Sequence, residues 1–197
     1  MFESDRLRTL MDSRSFFFKQ FLRHPLQIGS IVPSSRFLER RVVKAAGVSS
    51  AKNIVELGPG TGGTTRAILR AMAPGAKLLS IEINPDFHAL VSCMEDDRHI
   101  AHLGDAQGLE DIIQMYGLGA PEVVISGIPF STMNQTSGSQ IIMAISSVLA
   151  PGGHFVAYQV SKRVISLCQP LIGSGQVEVE LFNIPPMRVC RWEKNGA

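Results

Sequence analysis

From residue 52 onward the chain alternates between short apolar runs and amphipathic stretches, and the breaks fall on glycine and proline. Residues 53–57 form an apolar run that ends in glycines and predicts a strand. Residues 64–72 carry helical spacing and stop at Pro74-Gly75. The alternation continues with a strand over 77–83, a helix over 85–95 with Pro85 in its first turn, a strand over 100–103 and a short helix over 109–116. A β-branched strand follows over 122–126, then a helix over 139–149 closed by Pro151-Gly152-Gly153, a strand over 154–160 and a helix over 162–172. The end differs, with strands over 176–183 and 187–193 joined by a turn at Pro185-Pro186. Five strand–helix repeats imply an α/β fold with a parallel sheet and helices on both faces, and the two closing strands add an antiparallel edge.

The first part of the chain follows another pattern. Over residues 6–23, Leu7, Leu10, Met11, Phe17, Phe18, Phe21 and Leu22 share one helical arc, while Arg8, Lys19 and Arg23 lie opposite. Pro25 ends that helix, and Ser34-Ser35 caps a second one over 36–46 that Gly47 stops. The chain therefore divides into an N-terminal helical segment, 1–48, and a core, 49–197.

Charge sharpens this division. Residues 1–45 hold nine Lys and Arg against four Asp and Glu, a net +5, which leaves −3 for the rest of a 197-residue chain whose net charge is +2. A basic arm on a mildly acidic body points to an anionic partner. No signal peptide is read, and no stretch reaches the roughly 18–20 apolar residues that span a bilayer, so membrane contact is expected to be peripheral. Cys93, Cys168 and Cys190 show no C-x-x-C spacing. They are expected to be reduced and mostly buried, with no metal site, as in a cytoplasmic protein.

The chemistry concentrates at Glu56-Leu57-Gly58-Pro59-Gly60-Thr61-Gly62-Gly63, between the first core strand and its helix. Glycines there allow positive φ and close backbone approach to a ligand at the carboxyl end of the sheet. A P-loop is excluded because no Gly-Lys-Ser/Thr follows. A dinucleotide remains compatible with Gly58, Gly60, Gly63 and the acid Glu82 some twenty residues on. Three features favour a ligand bearing an ammonium and a sulfonium: Glu56 near the mouth of the turn, Asp105 after the third strand where an adenine amine would find an acceptor, and no second domain to hold a hydride acceptor.

Together, Glu56-Leu57-Gly58-x-Gly60-x-Gly62, Glu82, Asp105 and the Pro129-Phe130 ending of the fourth strand resemble the class I S-adenosylmethionine-dependent methyltransferases, across roughly residues 50–193. The resemblance implies a Rossmann-like seven-stranded, mostly parallel sheet with one antiparallel edge strand, helices on both faces and N-terminal helices. It implies S-adenosylmethionine as cofactor and S-adenosylhomocysteine as product. Gly58, Gly60 and Gly62 would line the methionine moiety, Glu82 the ribose and Asp105 the adenine. Gly29, Ser30, Glu56, Thr61, Thr64, Ile83, Ala106 and Ser126 would complete the cofactor site.

The acceptor is read from Ser126-Gly127-Ile128-Pro129-Phe130. Amine methyltransferases of this class place a polar residue, a proline and an aromatic there, so Gly127, Pro129 and Phe130, with Tyr158 at the end of the fifth strand, are the catalytic candidates. The segments 22–35, 124–130 and 183–189 are similar to the bacterial phospholipid N-methyltransferases, which convert phosphatidylethanolamine to phosphatidylcholine. Ribosomal RNA adenine dimethyltransferases are similar more distantly, but Gly127 stands where they carry Asn, so nucleic acid is not the expected partner. The expectation is an enzyme held peripherally at the inner face of the cytoplasmic membrane, an anionic surface, by its basic helix. The alternatives are a soluble methyltransferase acting on rRNA adenine or a small amine, and a cofactor-binding module without turnover. Oligomeric state is left open.

Overall fold

The computed structural model describes residues 34–195. The amphipathic helix read over 6–23, and the site candidates Gly29 and Ser30, lie outside them. The described residues belong to one compact unit.

Helix α1 (Arg36–Ala46) starts where Ser35 accepts the Leu38 amide through its side chain and ends at Gly47, whose φ of 69° closes it in the left-handed conformation. Leu38, Val42 and Ala46 lie at i, i+4 and i+8 and are all buried. The sheet strands are β1 (Asn53–Leu57), β2 (Lys77–Glu82), β3 (His99–Leu103), β4 (Val123–Ser126), β5 (His154–Gln159), β6 (Gln176–Glu180) and β7 (Met187–Glu193). The remaining helices are α2 (Gly63–Ala71), α3 (Pro85–Ser92), α4 (Leu109–Met115), α5 (Gln135–Val148) and α6 (Arg163–Cys168).

The strand order is β3-β2-β1-β4-β5-β7-β6. β1 to β5 are parallel, and β7 runs antiparallel to both β5 and β6. The antiparallel member is thus β7, one place in from the edge, and β6 is outermost. Period-two alternation sends Ile54 and Leu78 to the face covered by α1 and α2, and Val55 and Leu79 to the face covered by α4 and α5. Arg98 fastens β3 to the end of α2. Its guanidinium pairs with Asp96 at 2.7 Å and donates to the carbonyls of Leu69, Met72 and Ala73, the C-terminal groups that an α-helix leaves unbonded.

Several boundaries differ from the periodic reading, among them the end of α3 at Ser92 rather than residue 95. Helix α5 begins a turn earlier than residue 139, because Asn134 accepts the Ser137 amide at 2.8 Å and caps a polar first turn. Helix α6 ends at Cys168, after which the amides of Leu171, Ile172 and Gly173 all turn back onto the Cys168 carbonyl. Strand β6 ends at Glu180, since Asn183 is drawn into the following turn by its bond to the Pro185 carbonyl.

Candidate active site

The order of the strands reverses between β1 and β4, and the carboxyl ends of these neighbours open the crevice in which α/β sheets take ligands. The glycine turn stands at that point. Gly58, Gly60 and Gly62 have φ of 69°, 56° and 77°. A β-carbon on Gly62 would lie 2.1 Å from the Met94 methyl carbon, the movable end of a flexible side chain, so it is the backbone conformation that requires glycine there. Thr61 is exposed on the turn, and its carbonyl accepts from Arg66 at 3.2 Å.

Glu82, buried at the end of β2, ties the turn to the next strand. Its Oε2 accepts the Gly60 amide at 3.1 Å and its Oε1 the Asn84 amide at 2.9 Å. Each oxygen keeps a second lone pair. Ile83 beside it is 68% exposed, an apolar side chain that a stacked ring would cover. Asp105 is exposed past the end of β3. It caps a short 3₁₀ turn (Ala106–Gly108) by accepting the Gln107 amide at 2.9 Å, while Ala106 is buried.

Glu56 corrects the sequence reading. It lies under the turn rather than at its mouth, with no exposed surface. It follows Ile54 on the α2 face of β1, where Thr65 and Ser80 donate to its Oε2 at 2.7 and 2.9 Å. Its Oε1 is buried without a hydrogen-bond partner among the described residues. Loss of solvent pushes its carboxyl pKa up to about 7, against the pull of the two hydroxyl donors. The network continues through Ser80 to His99 Nε2 at 3.1 Å, and burial holds the His99 pKa below its ordinary value. Ser80 and Thr65 were missed by sequence reasoning. The signal for Ser80 was a polar residue inside the otherwise apolar 78–81 run.

The β4 end separates the acceptor candidates. A β-carbon on Gly127 would lie 2.5 Å from the Tyr158 hydroxyl and 2.8 Å from the Gly58 carbonyl, so the bare backbone fits between them. Tyr158 receives a bond from Thr64 Oγ1 at 3.2 Å. Desolvation, and then the Glu56 charge, push its pKa up, so it stays a neutral phenol at pH 7. Two of the catalytic candidates, Phe130 and Pro129, are corrected. Phe130 is wholly buried in the core cluster with Ile141 and Leu167, so its ring face is spent on packing rather than offered to an amine. The Pro129 carbonyl accepts both the Thr132 amide at 3.0 Å and the Thr132 hydroxyl at 2.9 Å, which fills its two lone pairs. The Ile128 carbonyl is taken by the Phe130 amide and by the Gln159 side chain, a residue sequence reasoning did not single out. The Gly127 carbonyl carries no hydrogen bond among the described residues. Ser126 is buried, and its hydroxyl accepts the Ile128 amide at 3.2 Å. His154 lies at the opposite, amino edge of the sheet, against Ala46 and Arg191.

The arrangement suits a ligand with a positively charged end near the glycine turn, two hydroxyls at Glu82 and a polar ring edge at Asp105. An orphaned buried acceptor beneath a cradle of positive-φ glycines fits a cationic group and not a pyrophosphate.

No family model matches the chain. Against curated proteins it is 31% identical over 141 residues to an ornithine lipid N-methyltransferase of Singulisphaera acidiphila, a match covering 71% of this chain and 73% of that protein. It is 30% identical over 99 residues to the ribosomal RNA small subunit methyltransferase A of Corynebacterium jeikeium, covering 47% of this chain but only 30% of that protein. Among solved structures, a precorrin-6y C5,15-methyltransferase from Geobacter metallireducens superposes with a TM-score of 0.66 at 15% identity, over 85% of this chain and 93% of that one, a likeness of fold.

Proposed function

The chain belongs to the class I S-adenosylmethionine-dependent methyltransferases, and from that premise we propose that it is an N-methyltransferase acting on the head-group amine of an amino-lipid, phosphatidylethanolamine and its partly methylated forms first among them. The observation that carries the reading is the similarity to an ornithine lipid N-methyltransferase over nearly three quarters of both chains. The reading is supported at the β4 end by the Gly127 carbonyl, which carries no hydrogen bond among the described residues and so keeps its acceptor capacity.

When bound, S-adenosylmethionine supplies an electrophilic methyl carbon on a sulfonium. The glycine turn lets backbone approach the methionine end, Glu82 keeps a lone pair on each oxygen for the ribose hydroxyls, and Asp105 offers its carboxylate to the adenine amine. Glu56, held neutral by burial without a ligand, would be drawn toward its charged form by a cationic group at the glycine turn. The Gly127 carbonyl takes one N–H of the acceptor and so directs the nitrogen lone pair. A primary amine with pKa about 10 is mostly protonated at pH 7, and loss of water on binding beside the neutral Tyr158 phenol would favour its neutral form. In methyl transfer the nitrogen lone pair would form the N–C bond as the methyl group left the sulfonium with the electron pair staying on sulfur, and the proton in excess on nitrogen would pass to water. Orientation supplies much of the acceleration in such a transfer.

The test offers purified full-length chain methyl-labelled S-adenosylmethionine with phosphatidylethanolamine, ornithine lipid and total ribosomal RNA in parallel, the lipids in detergent micelles. Label in a lipid is the expected result, and the two lipid arms separate the head groups. Label in RNA alone overturns the lipid reading and leaves a nucleic-acid N-methyltransferase.

A further inference from the structure

The loop after β6 presents its apolar side chains outward. Leu181, Phe182 and Ile184 are 70%, 74% and 85% exposed, while Asn183 between them is buried. The backbone is nevertheless pinned. Asn183 accepts the Ser35 amide at 2.9 Å and donates to the Pro185 carbonyl at 2.9 Å, and the Phe182 amide donates to Glu180 at 2.9 Å. Pro185 and Pro186 fix two further φ angles. A pinned loop that presents three large apolar side chains to water has the character of a contact surface.

Two observations say what covers it. The first is position. β6 runs parallel to β5, so this loop lies on the same rim of the sheet as Tyr158, Gly127 and the glycine turn, two strand spacings or about 10 Å from β5. The second is charge. The bond from Ser35 sets the start of α1 beside the loop, and Phe37 packs on Phe182 with ring centroids 5.4 Å apart. From there Arg36, Arg40 and Lys44 run along the exposed side of α1 at i, i+4 and i+8. Like charges at that spacing repel, and none of the three has an ion pair among the described residues. Neighbouring cations are neutralised, Arg41 by Glu178 and Glu180 and Arg70 by Glu39. An apolar wedge backed by an unopposed basic row is complementary to a bilayer with anionic head groups.

We propose that the 181–186 loop, with Phe37, inserts into the interface of an anionic bilayer and seats the rim of the catalytic crevice on the membrane. This rests on the amino-lipid reading and deepens it, because a substrate amine then enters at head-group depth without leaving its leaflet. The basic row recedes from the rim at 1.5 Å per residue, so Arg36 lies nearest the lipid, Arg40 about 6 Å further and Lys44 about 12 Å further, beyond most of the screening length.

The experiment places a reporter in the loop. Phe182→Trp in the full chain is read against wild type, whose one tryptophan, Trp192, is buried. The difference emission is expected at the wavelength of a solvated indole in buffer. It should shift to the blue and be quenched by brominated acyl chains when phosphatidylglycerol vesicles are added, and remain unchanged with pure phosphatidylcholine. A difference emission already blue in buffer means that another segment of the chain, or a second copy, covers the loop, and overturns the proposal. So does a solvated emission that persists while the protein co-sediments with vesicles. Phe182→Ser and Ile184→Ser should each weaken vesicle binding roughly tenfold. Arg36→Gln should weaken it more than Arg40→Gln, and Lys44→Gln least. Methyl transfer to micellar lipid separates the two readings, since it survives in Phe182→Ser if only docking is lost and is absent from wild type if the amino-lipid reading fails.

Discussion

Glu56 is the residue at which burial and function pull in opposite directions. A carboxyl with no exposed surface and a pKa raised to about 7 is held in its neutral form by the fold. Between pH about 4.5 and 7 the native state keeps a proton that the unfolded chain has lost, so this group's contribution is present at low pH and fades as pH rises through 7. The loss amounts to about 3 kcal/mol, from the size of the shift. Glu56→Gln is therefore expected to flatten the fall of unfolding free energy across that window, measured by urea denaturation at several pH values without cofactor. A parallel pH dependence in both proteins would show that Glu56 ionises freely. The position of the glycines, Glu82 and Asp105 was legible residue by residue, since they stand at strand ends that the pattern locates. The depth of Glu56 was not legible, because it depends on Thr65 and Ser80 closing over it from other elements. Nor were the fates of Phe130 and the Pro129 carbonyl, which are decided by α5 and α6 packing on one and Thr132 folding back on the other.

At the scale of elements, local signals located each strand and helix of residues 34–195 but not always its ends. Ser35 and Gly47 bound α1 where the sequence reads them, since each acts on its own turn. The polar first turn of α5 escaped because its cap, Asn134, resembles loop composition until its side chain is seen on the Ser137 amide. Helix α1 carries the heavier structural load. Its Leu38, Val42 and Ala46 cover β4 and β5, and its first amides are secured by Ser35 and, through Asn183, by the loop after β6. Ser35→Ala should remove the cap bond and lower stability by about 1 kcal/mol. That corresponds to a drop of about 2–4 °C in Tm for a chain of this size. Asn183→Ala should cost more, since it leaves a Ser35 amide and the Pro185 carbonyl without the partner they share. Thermal unfolding of the two variants ranks them, and a smaller effect for Asn183→Ala would mean that water replaces its bonds.

For the whole molecule, the sheet order matters more than any single contact. The pattern of alternating elements implied a parallel sheet, but the placing of β7 between β5 and β6 is a pairing choice made by side chains distant in sequence, such as Phe155 stacked on Trp192 with centroids 5.3 Å apart. The consequence of the order is that the glycine turn, Glu82 and Asp105 come from the ends of three adjacent strands, β1, β2 and β3. A ligand that engages all three adds a tie across strand ends already joined by their ladders and by side-chain bonds such as Glu82 to the Gly60 amide. Because it binds the folded chain alone, a cofactor at a hundred times its Kd should add about 2.7 kcal/mol of stability, a rise in Tm of roughly 5–10 °C. Asp105→Ala should lose much of that rise, because the polar end of the ligand would face water, while keeping the unliganded Tm, since the residue is exposed and holds only Gln107. Gly60→Val should abolish it, because valine cannot adopt a φ of 56° without displacing the amide that Glu82 holds. Thermal shift with S-adenosylhomocysteine, which cannot transfer a methyl, reads binding apart from turnover. An undiminished rise in Asp105→Ala would take β3 out of the site and confine the cofactor to the β1–β2 side of the crevice.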